Sequence, residues 1–179
     1  AADLLSSGDL TGKTFETSWL HKPTGLKAKR LLLIGGGKAK KFAAADLRKL
    51  AGAAVRALKA RNVHSLAFLA PKGIPAEEAV CAIVEGAFIG DFDSDTYKSD
   101  RKDQKMDSVT VIVATGDQSS LQRALDEARI IGESQNFTRD LVNEPSNQMT
   151  PTILANRAQA MCKETGLKCE VYGADKIKE

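Results

Sequence analysis

Histidine is almost missing from this sequence: His21 and His64 are its two examples, and neither has a histidine or cysteine near it at metal-ligand spacing. A serine or cysteine nucleophile would need one of these two as its base, and nothing marks either for that work. Cysteine is scarce as well. Cys81, Cys162 and Cys169 form neither an even set nor a C-x-x-C pair, so reduced thiols in a cytoplasmic protein are expected rather than a disulfide framework. Aromatic residues make up 5% of the chain, which leaves aliphatic and alanine side chains to build the core. Long apolar runs are absent too. "RLLLIG" and "SLAFLA" fall far short of the roughly 20 residues of a membrane helix, and no cationic start with an apolar stretch and cleavage site precedes them. Neither a membrane nor an export role is expected. The formal charge of +3 is too small to demand a polyanionic partner, which turns attention to local clusters.

What is present is enough for one aliphatic core, with 42% hydrophobic residues in 179. The chain opens on Ala1-Ala2, in a stretch of weak periodicity, and is expected to start inside a longer protein. "TFETSWL" alternates Phe15, Thr17 and Trp19 against polar neighbours, "RLLLI" is a short continuous run, and both predict strands. From Phe42 the period changes. Leu47, Leu50, Ala51, Ala54 and Leu58 share one face while Arg48, Arg56 and Lys59 point elsewhere, which predicts an amphipathic helix. "HSLAFLA" predicts a buried strand closed by Pro71. Pro75, Glu77 and Glu78 then open a helix with Val80, Ile83, Val84 and Ala87 on one face. "SVTVIVAT" predicts a further strand, and Ser119 with Gln122 a capping box for a long helix to about Asn143. Thr150-Pro151 occupies the N-cap and N1 positions of another helix, with Leu154, Ala158 and Met161 along one side and Gly166 at its end. "LKCEVY" alternates as a half-exposed strand would. Strands alternating with helices imply an α/β fold whose sheet is covered on both faces.

Three local patterns invite a functional reading. "LLLIGGGKAKKF" places three glycines between a strand and a helix, where exposed amides favour anions. Neither G-x-G-x-x-G nor the Walker pattern completes, because Lys40, Leu32 and Ala39 stand at required positions, and a tight turn is the simpler expectation. "DFDSDTYKSDRK" opens like a calcium loop at Asp91, Asp93 and Asp95, yet has Thr96 where glycine is required and Lys102 where a bidentate glutamate is. From Lys22 to Lys41 stand Lys22, Lys27, Lys29, Arg30, Lys38, Lys40 and Lys41 with no acid among them. Such a cluster is either a solvated rim or a nucleic-acid contact through Lys38, Lys40 and Lys41, and no aromatic interleaves for stacking.

The segment "NFTRDLVNEPSNQMTPTILANRAQA" resembles the connecting segment of the cytosolic leucyl aminopeptidases, R-x-L-x-N-x-P-x-N followed by x-x-T-P. The matching residues are Arg139, Leu141, Asn143, Pro145, Asn147, Thr150 and Pro151. "LLLIGGGKAKKF", "VEGAFIGDFDSDTYKS" and "CEVYGADKIKE" are similar to the family's segments in the same order. The resemblance implies a macro-domain-like mixed sheet with helices on both faces, followed by a linker helix and a short strand. It implies a non-catalytic domain over 1–144 and, over 145–179, the linker helix and the start of a peptidase domain, with an interdomain hinge at Asn143, Pro145, Asn147, Thr150 and Pro151. The parent it implies is a cytoplasmic hexamer that removes N-terminal residues from peptides with two divalent ions, zinc or manganese. The family's metal ligands and catalytic residues fall beyond Glu179, so no catalytic residue, metal ligand or cofactor is expected in this chain. Its expected partners are its own catalytic domain and the other subunits. DNA binding through the lysine cluster, or ADP-ribose binding at the Gly35 to Gly37 turn, stand as alternatives.

Overall fold

A computed structural model describes residues 2–94, 96–100 and 105–178. It divides into two compact units, Ala1–Asn136 and Phe137–Glu179. The first unit carries a short helix α1 (Ala2–Ser6), strands β1 (Thr17–His21) and β2 (Arg30–Ile34), a 3-10 turn at Ala39–Lys41, helix α2 (Ala44–Lys59), strand β3 (Ser65–Leu69), helix α3 (Ala76–Asp91) and strand β4 (Ser108–Ile112). Helix α4 (Gln118–Asn143) runs from this unit into the second, which holds α5 (Pro151–Thr165) and α6 (Ala174–Ile177).

The expected alternation of strands and helices is present, with strand directions mixed. β1 and β2 pair antiparallel, with Trp19 opposite Leu32, and β3 and β4 pair parallel, with Ala67 opposite Thr110. Among the described residues these are two separate ladders. In β3 and β4 the half-buried residues alternate with exposed ones, so one face of that ladder packs while Ala67, Leu69, Thr110 and Ile112 on the other stay exposed. Phe68 and Val111 are the packed side. They lie on a cluster made by Leu47 and Ala51 of α2 with Ala79, Ala82 and Ile83 of α3. A second cluster joins Val80 and Val84 of α3 to Ala124 and Ala128 of α4.

The helix faces read from spacing are the buried ones: Leu47, Leu50, Ala51, Ala54 and Leu58, then Val80, Ile83, Val84 and Ala87. One charged residue set aside as outward is not: Lys59 is 4% exposed because its ammonium is taken up by Asp91 and Asp93, whereas Arg48 is exposed as expected and pairs at 2.9 Å with the buried Glu85 of α3. Their partners lie more than thirty residues away in sequence, beyond the reach of helical periodicity.

Three further expectations are corrected. The start of α4 is capped by Asp117, whose carboxylate accepts from the Ser120 amide at 3.0 Å, so the Ser119 and Gln122 box is not used. A carboxylate two positions nearer the loop serves the same orphan amides, and Gln122 turns instead to Asp126 at 2.9 Å. Pro145 cannot continue a helix and biases Glu144 away from helical geometry, which predicts an extended connector over 144–149, but these residues form a turn, because the Pro145 carbonyl accepts from both the Gln148 amide, 2.8 Å, and the Met149 amide, 3.0 Å. "LKCEVY" forms no strand. Alternation alone does not make one without a ladder partner, and residues 167–173 have none before α6 begins.

Candidate functional site

The three glycines after β2 carry the chain along a second backbone. The Gly35 amide donates to the Glu16 carbonyl at 2.8 Å, the Phe15 amide to the Gly35 carbonyl at 2.9 Å, and the Gly37 amide to the Gly12 carbonyl at 2.9 Å. A Cβ on Gly35 would overlap the Lys13 carbonyl, and Gly37 sits at φ 77°. The turn is therefore built for close backbone approach. Its amides at Gly35 and Gly37 are already spent on carbonyls, and the first turn of α2 carries Asp46, whose carboxylate accepts from the Ala43 amide at 3.2 Å. Neither arrangement offers a phosphate cradle.

Past this turn lies a cleft of about 410 Å³, walled by Gly36, Gly37 and Ala39 on one side and by Leu69 and the Pro71–Ile74 loop on the other. Leu47, Leu50, Phe42 and Phe68 also line it.

All seven cations from Lys22 to Lys41 are exposed, but β2 separates them. Lys22, Lys27, Lys29 and Arg30 gather at its start, and Lys38, Lys40 and Lys41 follow its end, five strand residues on, a run of about 16 Å. Beside the first group, Arg61 stacks over Trp19 at 4.1 Å and its carbonyl accepts from Arg30 at 3.3 Å.

The acidic segment after α3 is used internally. Lys59 Nζ donates to the Asp91 carbonyl and to Asp93 Oδ2, both at 2.6 Å, and Asp91 Oδ1 accepts from the Met106 amide at 3.0 Å. The two carboxylates that opened the calcium-like pattern thus clasp a buried lysine. Asp95, Arg101 and Lys102 lie outside the described residues. His64 is occupied as well, with Nδ1 2.8 Å from the Lys105 carbonyl and Nε2 3.1 Å from Asn62 Oδ1. Among the described residues no three His, Cys, Asp or Glu side chains come together as a metal ion needs.

The thiols of Cys81 and Cys162 are not activated. Burial, then Glu127 and Glu85, push the Cys81 thiol up, and burial with a hydrogen bond to Cys169 does the same for Cys162. A raised thiol stays protonated, which is the opposite of what a nucleophile requires.

At the junction, Asn143 closes α4 with its amide donating to the Arg139 carbonyl at 2.7 Å. Pro145 and Asn147 lie in the turn, Thr150 Oγ1 accepts from the Ile153 amide at 3.3 Å, and Pro151 is the first residue of α5. Gly166, at φ 74°, ends that helix. Arg157 reaches back from α5 to Glu144 at 3.2 Å, a pair that fastens the turn to the helix after it. Glu144 precedes a proline and Arg157 lies thirteen residues on, so no local spacing rule links them.

Residues 1–101 match the N-terminal domain of the cytosol aminopeptidase family, and residues 136–179 match that family's catalytic domain. A "Probable cytosol aminopeptidase" from Koribacter versatilis is 49% identical over 199 aligned residues, which take in 100% of this chain and 38% of the relative. Among solved structures, the bottromycin maturation enzyme BotP is 28% identical with a TM-score of 0.80, over 98% of this chain and 37% of its own. BotP in complex with Mn gives a TM-score of 0.79. A tomato leucine aminopeptidase mutant, 24% identical over 91% of this chain and 32% of its own, shares the fold at a TM-score of 0.76. The chain thus spans well under half the length of these relatives. With the family's N-terminal domain matched over more than half of its residues, and the family's catalytic domain matched from residue 136, within α4, onward, the chain belongs to the cytosol aminopeptidase family.

Proposed function

We propose that this chain is the N-terminal part of a cytoplasmic leucyl-type aminopeptidase, in which residues 1–144 form a non-catalytic assembly domain. Residues 145–179 then lead through the hinge at Asn143 to Pro151 into the peptidase domain. The observation that carries this reading is the pair of matches in chain order, the family's N-terminal domain over 1–101 and its catalytic domain from 136, with the junction of a closed helix end, a Pro145 turn and a Thr150-Pro151 restart lying near the start of the second match. The exposed apolar residues of the second unit support it. Val142, Leu154, Leu167, Val171 and Tyr172 are between 45% and 78% exposed, and a fuller catalytic domain would cover them. The relatives' printed name and the Mn-bound BotP support peptide hydrolysis on divalent ions by the whole protein. The described residues do not fit such a centre, because no group of three ligating side chains is present among them, and no step of hydrolysis is assigned to them.

The experiment is a comparison of lengths. Residues 1–179 should not hydrolyse leucine amides with manganese or zinc supplied, while a chain extended through the catalytic domain should be active, sensitive to chelators and hexameric by sedimentation. Chelator-sensitive turnover by the 179-residue chain, with full-length enzyme excluded, would overturn the assignment.

A further inference from the structure

We propose that the cleft between the Gly36–Ala39 turn and the Pro71–Ile74 loop binds a small monoanion with an aromatic body, an aryl-alkanoate being the simplest member of the class. Its volume, about 410 Å³, lies within the range of small-molecule sites, which is about 300 to 1,000 Å³. It opens where β2 and β3 both end, at Ile34 and Leu69, and ligands of open α/β folds settle outside the carboxyl ends of strands. The floor is made by Leu47 and Leu50, both buried, and two aromatic rings, Phe42 and Phe68, face a ligand that could stack on or against their edges.

The charge at its rim has one sign. Lys72 is the sole charged residue among those lining the cleft, and the exposed Lys38, Lys40 and Lys41 flank Ala39 in sequence. A carboxylate held at the rim meets the Lys72 ammonium and no carboxylate among the lining residues, while the body displaces water from apolar walls. The chemistry stops at a single anionic group. Gly35 and Gly37 have given their amides to Glu16 and Gly12, so the backbone does not cradle a phosphate chain. Leu69, 71% exposed at the edge of the cleft, gains cover from the same ligand.

Calorimetric titration with 3-phenylpropionate, 3-phenylpropionamide and ADP-ribose tests this. The acid should bind saturably, with a Kd on the order of 1 mM. The neutral amide should bind about two- to fivefold more weakly, and Lys72→Gln should cost the acid the same factor and leave the amide unmoved. Ala39→Trp fills the cleft from an exposed position and should weaken both ligands about tenfold or more. Lys49→Gln, on the exposed side of α2, should change nothing. Shifts of the Phe42 and Phe68 ring protons on adding the acid give a readout that does not depend on any variant folding. Equal affinity for acid and amide, full affinity in a folded Ala39→Trp protein, tighter binding of ADP-ribose than of the acid, or unmoved Phe42 and Phe68 rings at about 10 mM acid would each overturn the proposal.

Discussion

Glu16 shows how much one side chain does that its place in the sequence conceals. Its Oε2 accepts from the Thr11 amide and hydroxyl, both at 2.9 Å, and from the Lys13 amide at 3.1 Å. These bonds shape the loop whose Gly12 carbonyl receives the Gly37 amide, so the carboxylate acts on the glycine turn through one intermediate. The Thr11 hydroxyl bond, followed by backbone bonds, holds the Glu16 carboxyl below its ordinary value. The sign follows from linkage: a lowered folded-state pKa contributes stability that is present above the ordinary carboxylate range and is lost as pH falls through the folded value. Glu16→Gln should therefore lower the melting midpoint at neutral pH, and the gap between variant and parent should close as pH drops below about 4. Thermal melts across that range check it, and a gap independent of pH would remove the carboxylate from the account. In the sequence, Glu16 was merely a polar residue alternating with Phe15 and Thr17, because three local acceptor bonds leave no periodic trace. Lys59 was hidden for a related reason. A lysine off the apolar stripe reads as solvated until Asp91 and Asp93 arrive from the end of another helix.

At the scale of elements, what was legible was periodicity, and what was not was how closely two elements approach. The apolar faces of α2 and α3 were named residue by residue from spacing, yet the contact between them depends on side chains that are missing. A Cβ on Gly86 would overlap the Arg48 carbonyl and lie 2.9 Å from the Ala51 Cβ, and one on Gly90 would lie 2.5 Å from the Gly52 carbonyl. Glycine in the middle of a helix costs about 1 kcal/mol relative to alanine, so propensity alone would have Gly86→Ala stabilise the protein. Backbone that must move to admit the methyl opposes this, at about 1 to 3 kcal/mol for overpacking and more where the clash is with a carbonyl. The clash should win, with a net loss of about 2 kcal/mol in urea unfolding. A gain would mean that the helices part at little cost. The same limit explains the junction. Pro145 announced the end of α4 correctly, but whether the next residues extend or turn depends on which amides find the Pro145 carbonyl, and the sequence carries no mark of that choice.

The molecule as a whole is unevenly buried. Of its fully buried apolar residues, those in both core clusters belong to α2, α3 and the first half of α4, whereas from Phe137 onward Cys162 alone among the described residues reaches that state. Helix α5 is well begun and well ended, by the Thr150 cap, Pro151 and Gly166, but capping contributes about 1 kcal/mol and a helix of fifteen residues is marginal without a packed face. The opening free energy of such a segment is set by what it buries, so the second unit should open locally while the first stays closed. Native-state hydrogen exchange should show α5 amides protected about a hundredfold less than those of α2 and α3, a difference of about 2.7 kcal/mol. Arg157→Ala removes the bond to Glu144 and should speed exchange at 144–153 further, without touching α2. In a chain extended through the catalytic domain, α5 should gain protection as Leu154 and its neighbours are covered. Equal protection of α5 and α2 in the 179-residue chain would show that the second unit is stable through contacts of its own, and would take away the support that its exposed apolar face lends to the proposed function.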